Sequence, residues 1–299
     1  MIYSGLFSWV YSFVTALSVI MIGQVTRQFN PILSLLFSVL LSTVYFHILN
    51  WNTIPTIYCQ LNNYKRLGLA MCLIVAIVWF CTFYSISLTS PFSFIMVYFT
   101  IPAILSNILL LYQNRQNYRH KLSILILSIS IICYITLHAN YATNFIQDIK
   151  GMFLAAFGGL TGFAYLKLSY RFQQKTQLTA TQILAIRSYV IIVLFPLLVP
   201  SSAYKQFFQT SIRGWLLLAF LTFLTFIIPV YCNQKGIQQV GVEKHAIIIA
   251  SCPIFAYILS QIFIKDQLLP FPKLLLILAI STSAGLALSL LPAKRPISK

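Results

Sequence analysis

Few side chains in this sequence of 299 residues have the chemistry of an acid, a base or a nucleophile in company. Its three carboxylates, Asp148, Glu243 and Asp266, lie in or beside separate polar segments, so the paired carboxylates that general acid–base work needs are not evident. Its four histidines are scattered and form no H-x-x-x-H. The six cysteines, Cys59, Cys72, Cys81, Cys133, Cys232 and Cys252, form no C-x-x-C and fall mostly in apolar runs, which argues against a zinc site or a disulfide framework. No metal and no cofactor is expected, and an enzyme is the weaker reading.

One cluster stands out, at the start of GVEKHAIIIASCPIFAYIL. In a first helical turn the carboxylate of Glu243 faces unpaired amide N–H groups and the favourable end of the helix dipole, worth about 0.3–1 kcal/mol when exposed. A cap on a wet helix end is the plain reading, and a gate contact or proton-coupling carboxylate is the sharper one. His245 lies two residues on and points elsewhere, which makes the two a poor facing pair. A histidine titrates near neutral pH, which makes His245 a gating or charge candidate in transport, yet one at an interface is usually just hydrogen-bonded.

Arg187, inside QILAIRSY, is the most informative charge. A guanidinium within an apolar span normally faces protein or a water-filled cavity. It either anchors the helix, snorkelling to the surface, or attracts anionic substrate groups and takes part in gating. Pro102 and Pro253 each sit about eleven residues into an apolar run, where proline removes a helix hydrogen bond and bends the axis. A hinge and a static kink are both compatible with that placement. Aromatic residues are dense, and Trp9, Trp79, Tyr84, Tyr98, Tyr165 and Tyr257 are candidates to line a substrate cavity, as Tyr11 and Tyr189 also could. Rings with few full charges suit amphipathic or zwitterionic solutes.

The elements that must position these residues follow from composition. The chain is 59% hydrophobic and 8% charged, with mean hydropathy +0.87. A soluble domain carries about 25% charge, so a chain this poor in charge belongs in a membrane. The formal charge of +17 does not indicate nucleic acid, because the basic residues lie in short segments between apolar runs and not on one face. Ten runs are long enough to cross a bilayer as helices, near residues 3–23, 31–50, 67–88, 91–112, 121–139, 151–170, 179–199, 212–231, 242–264 and 272–292. The expected fold is an all-α polytopic membrane protein. The opening MIYSGLFSWVYSF lacks a basic segment and an A-x-A site, so a cleaved signal is not expected.

With the N-terminus inside, thirteen Lys and Arg fall in inside segments and six in outside segments, with Arg187 within a span. That asymmetry predicts both termini in the cytoplasm. The segments SISLTSPFSFIMVYFTIPAILSNILLLYQNR (85–115) and GIQQVGVEKHAIIIASCPIFAYILSQIFIKD (236–266) align without a gap when Pro102 is set against Pro253. The chain then divides into five spans over 1–140 and five over 141–299. Five is odd, so the second half enters the membrane from the opposite side, giving an inverted repeat of the kind on which alternating-access transporters are built. In the sixth span Gly158 and Gly162 form a GxxxG, read first as packing within the monomer and second as dimerisation.

These two copies, the ten spans in 5+5 order and Arg187 in QILAIRSY resemble the EamA-type members of the drug/metabolite transporter superfamily. The resemblance implies an inner-membrane carrier, commonly an exporter of amino acids or other small metabolites. It also implies a central cavity lined by the fourth and ninth helices with the first, third, sixth and eighth. In this family each repeat segment ends in an acid followed by a basic or polar residue. Asp266 and Gln267 match, whereas Asn114 and Arg115 depart, with no acid. The expected function is secondary transport, with export as the leading form and uptake or exchange of a nucleotide-derived or other metabolite as the alternative. The expected partners are the bilayer and a small-molecule substrate, with or without a coupled proton. No nucleic acid is expected, and the chain is a monomer or a homodimer.

Overall fold

Inside hydrocarbon a backbone has no water to bond to and must satisfy itself. The structure, a computed structural model, meets that demand with helices, and no strand occurs among the residues it describes, 5–25, 29–113, 118–139 and 144–263. Among these residues nine helical segments are long and apolar enough to cross a membrane. They coincide with the first nine runs read from the sequence. The tenth run, 272–292, lies outside the described residues, as do Asp266 and Gln267.

Six spans are single helices: α1 (Leu6–Val25), α2 (Pro31–Leu49), α4 (Lys65–Leu88), α5 (Pro91–Gln113), α6 (Tyr118–Ala139) and α7 (Phe145–Thr176). Between α2 and α4 runs the short α3 (Ile54–Asn63). Local chemistry sets the ends. Asn30 accepts the amides of Ile32 and Leu33 ahead of Pro31, and Gln177 closes α7 in the left-handed conformation.

The last three described spans are interrupted. The seventh is α8 (Ala180–Ile186), a turn at Arg187 and Ser188, then α9 (Tyr189–Leu194). After α10 (Ser201–Phe208), the eighth consists of α11 (Ile212–Thr222), a π-helical turn at Phe223–Ile227 and α12 (Ile228–Val240). The ninth is α13 (Val242–Ile249), a turn at Ala250 and Ser251, then α14 (Cys252–Phe263). Here the two aligned prolines behave differently. Pro102 sits within a continuous α5, while Pro253 is the second residue of α14, just past a break.

The most extensive helix packing joins α4 to α7, followed by α5 against α7 and α1 against α12. Span two packs on span seven through α2 and α8, and span four on span nine through α5, α13 and α14. Glycines allow the approach to α7. A Cβ on Gly158 would sit 3.1 Å from Cys81 Cβ and 3.2 Å from the Tyr98 ring, and Ser85 Oγ donates to the Gly151 carbonyl at 2.6 Å. The GxxxG of the sixth span therefore faces α4 and α5 of the same chain.

Two glycines are indispensable for different reasons. A Cβ at Gly159 would lie 2.6 Å from the Tyr98 carbonyl oxygen, a backbone atom that cannot rotate away. Gly241, between α12 and α13, has open space around it but adopts φ 83 and ψ 168, a conformation nearly confined to glycine. Gly159→Val should destabilise by about 1–3 kcal/mol through overpacking. Gly241→Ala should cost about 1–3 kcal/mol through backbone strain alone. Both are read as lowered apparent unfolding midpoints of the detergent-solubilised protein.

Candidate functional site

The helices enclose a cavity of about 70 Å³. Tyr11, Thr15 and Ser18 of α1 form one wall, and Trp79 and Thr82 of α4 with Tyr98 and Pro102 of α5 form the next. Tyr165 of α7, Thr225 of the π turn, Asn233 of α12 and Ile249 of α13 close the far side. Spans one, three, four, six, eight and nine thus contribute, and Arg187 is added from the interrupted seventh. It is the one charged side chain among the described lining residues.

Local sequence explains how Arg187 arrives there. Thr179 and Gln182 form a capping box that starts α8, and the helix ends at Ile186. Cys72 Sγ donates to the Ile186 carbonyl at 3.4 Å, and the Ser188 carbonyl restarts the ladder by accepting the Ile191 and Ile192 amides. The turn leaves the guanidinium only 3% exposed. Its Nη1 donates to the Tyr165 hydroxyl at 2.9 Å, and its Cζ lies 5.6 Å from the centroid of the Tyr165 ring. The Tyr165 hydroxyl donates in turn to Gln234 Oε1 at 3.0 Å, which also accepts Ser169 Oγ at 2.9 Å. Two buried nitrogens of this chain of bonds, Arg187 Nη2 and Gln234 Nε2, have no partner.

Aromatic packing fixes the rest of the wall. The Trp79 and Phe226 rings lie 4.2 Å apart, and Tyr98 stacks on Phe94 at 4.8 Å. Tyr11 stacks at 5.6 Å on His245, which is not at a wet surface but fully buried. His245 Nε2 donates to Asn233 Oδ1 at 2.7 Å, which leaves Nδ1 to accept the Ser8 hydroxyl at 2.9 Å. The turn at Gly241 folds the start of α13 back against α12, so a histidine four residues past a polar turn ends inside the protein, directly behind the cavity wall.

The other candidates are placed as follows. Trp79, Tyr98, Tyr165, Arg187 and Pro102 line the cavity. Trp9 and Tyr84 are 40% and 37% exposed on outer faces. At about 100° per residue, Trp9 is roughly 160° around α1 from Tyr11, and Tyr84 is roughly 140° around α4 from Trp79. Tyr257 and Pro253 belong to α14, and Glu243 is half-buried in the first turn of α13. None of these three lines the cavity. Among the described residues no group of three or more His, Cys, Asp or Glu side chains comes together as a metal site.

Several polar residues in the wall (Thr15, Ser18 and Asn233) and behind it (Ser8, Ser12 and Gln234) lacked an individual signal in the sequence. Ser8, Ser12, Thr15 and Ser18 share one buried stripe of α1 at helical spacing, which sequence periodicity alone exposes. The adjacent amides Asn233 and Gln234 in an otherwise apolar span give a second, weaker signal.

Comparison with known proteins fits this architecture. Residues 149–288 match the EamA-like transporter family. No curated protein matches the chain by sequence. A crystal structure of a protein 13% identical to the chain superposes with a TM-score of 0.67 over 98% of this chain and 99% of that one, a likeness of fold. The chain is thus a multi-pass α-helical membrane protein with an EamA-like transporter domain identified over residues 149–288.

Proposed function

We propose that this protein is a secondary transporter of the inner membrane that exports amino acids or related small metabolites by alternating access, with the cavity as the cargo route. The observation that carries this reading is a cavity walled by helices from both halves of the chain. A binding site at the interface of two repeats is where alternating access places its cargo, because rocking one half against the other then opens it to either side.

The helix packing supports a division into repeats over 1–140 and 141–299. Advancing each span number by five, cyclically over ten, carries the pair three–six (α4 and α7) into eight–one (α12 and α1). It also carries four–six (α5 and α7) into nine–one (α13 and α14 with α1), while two–seven and four–nine map onto themselves. Contacts related in this way are what a pseudo-two-fold axis produces. With five spans per half the relation is inverted. Pro102 in α5, the break before Pro253 and the π turn at Phe223–Ile227 are then the places where spans beside the cavity bend.

Two measurements test the reading. In proteoliposomes loaded with unlabelled amino acids, external labelled amino acid should accumulate by counterflow, and Val230→Trp, which fills the cavity from α12, should reduce that flux at least about tenfold while the protein stays monodisperse. Full flux through the filled cavity, or no flux for any amino acid or small metabolite offered, overturns the proposal. Orientation is tested at Cys59, a free and exposed cysteine on α3. If both termini are cytoplasmic, an impermeant maleimide labels Cys59 in inside-out vesicles and not in right-side-out ones, and the reverse pattern inverts the topology.

A further inference from the structure

The cavity holds a guanidinium whose needs are half met. Arg187 is 97% buried by its 3% exposure, its Nη1 is bonded to Tyr165, and its Nη2 has no partner. Among the described lining residues no carboxylate compensates the charge either. Asp148 stands in the first turn of α7, seventeen residues before Tyr165 and so about 25 Å away along the helix. Glu243 is in the first turn of α13 and does not line the cavity, and Asp266 lies outside the described residues. A buried charge with an open donor is expensive to keep, and the expense falls when an opposite charge arrives with acceptor oxygens.

We propose that Arg187 Nη2 is the docking point for a carboxylate on the cargo, an assignment that rests on the transport reading above and names its substrate class. The Tyr165 hydroxyl holds the guanidinium in place: it accepts from Nη1 and gives its own proton to Gln234. The carboxylate takes the remaining face. The rest of the cargo lies against Trp79, Tyr98 and Tyr11. No carboxylate stands among the described lining residues to receive an ammonium, so an amino group on the cargo meets ring faces, hydroxyls and the Asn233 amide, none of them charged. The carboxylate is therefore required for binding and the amino group dispensable. Size restricts the class further. At about 70 Å³ the cavity is well below the roughly 150 Å³ that takes up benzene, which makes small carboxylates on the scale of propionate or alanine the first probes to try.

The test compares alanine, which carries both groups, with propionate, which keeps only the carboxylate, and alaninamide, which keeps only the ammonium. Each is titrated against the purified full-length chain in nanodiscs at constant ionic strength, with sodium chloride as the anion control, and the unfolding midpoint is followed. Alanine and propionate should raise the midpoint of the wild type in a saturable way, and alaninamide and chloride should not. Arg187→Gln should weaken the carboxylates by about tenfold to a hundredfold, the range for a hydrogen bond to a charged group, and Arg187→Lys by less. The wild-type comparison decides the matter even where a variant fails to fold.

An equal response to alaninamide, a shift reproduced by chloride, no response to either carboxylate, or undiminished affinity in Arg187→Gln overturns the assignment. Flux in proteoliposomes separates this failure from that of the transport reading. Transport of alaninamide without the carboxylates removes only the Arg187 anchor. Carboxylate binding dependent on Arg187, with no flux of any compound, keeps the anchor and removes transport.

Discussion

Every backbone group that enters hydrocarbon must find a partner within the protein, and the rest of this structure depends on that constraint. It makes helices of all the described spans, and it makes each interruption costly unless side chains supply what the helix lost. The breaks in the second half show the compensation. At Ala250–Ser251 the Ile248 carbonyl accepts the Ser251 amide at 3.0 Å and its hydroxyl at 2.7 Å, with Ser12 of α1 at 3.4 Å. At Arg187–Ser188 the Ile186 carbonyl is taken by Cys72 of α4. Both rescues cross to a neighbouring helix, so the breaks are held by tertiary contacts and lie where the cavity is.

The same economy governs the polar interior. His245, Asn233 and Ser8 satisfy one another behind the wall, and their hydrogen bonds tie α13 to α12 and α1. Ser38 and Thr222 link α2 to α11 at 3.2 Å in the same manner. Nine buried side-chain atoms among the described residues have no hydrogen-bond partner, and two of them, Arg187 Nη2 and Gln234 Nε2, belong to one connected chain of bonds. In a medium of low dielectric an unpaired donor is expensive, and the Arg187 donor also carries the charge, which is why the proposed carboxylate is placed there.

Much of the fold was legible without coordinates, because crossing a bilayer imposes a length and a composition that a linear pattern reveals. The nine described spans fall on the first nine apolar runs. Arg187, Trp79, Tyr98, Tyr165 and Pro102 were singled out by type and position, and all face the cavity. Trp9 and Tyr84 were chosen on the same grounds and face outward. Burial in lipid erases the polar-outside signal that marks the inner face of a soluble helix, so an aromatic side chain in a membrane span announces its depth and not its direction. His245 illustrates a related point. The residues just before it, Glu243 and Lys244, are charged, but the turn at Gly241 carries it inward to Asn233 and Ser8.

The sequence by itself determined that this chain is a bundle of membrane helices, and its charge asymmetry and echoing segments argued for two opposed halves. Those properties depend on counts and spacings along one chain, which a string of residues records in full. Only the tertiary structure decided which face of each helix meets the cavity and that Arg187 bonds to Tyr165. It likewise decided that the two aligned prolines sit differently, one within a helix and one past a break. Such outcomes turn on close approaches between segments as far apart as Ser8 and His245, where glycines, serines and single hydrogen bonds select one packing among many that the same apolar pattern allows.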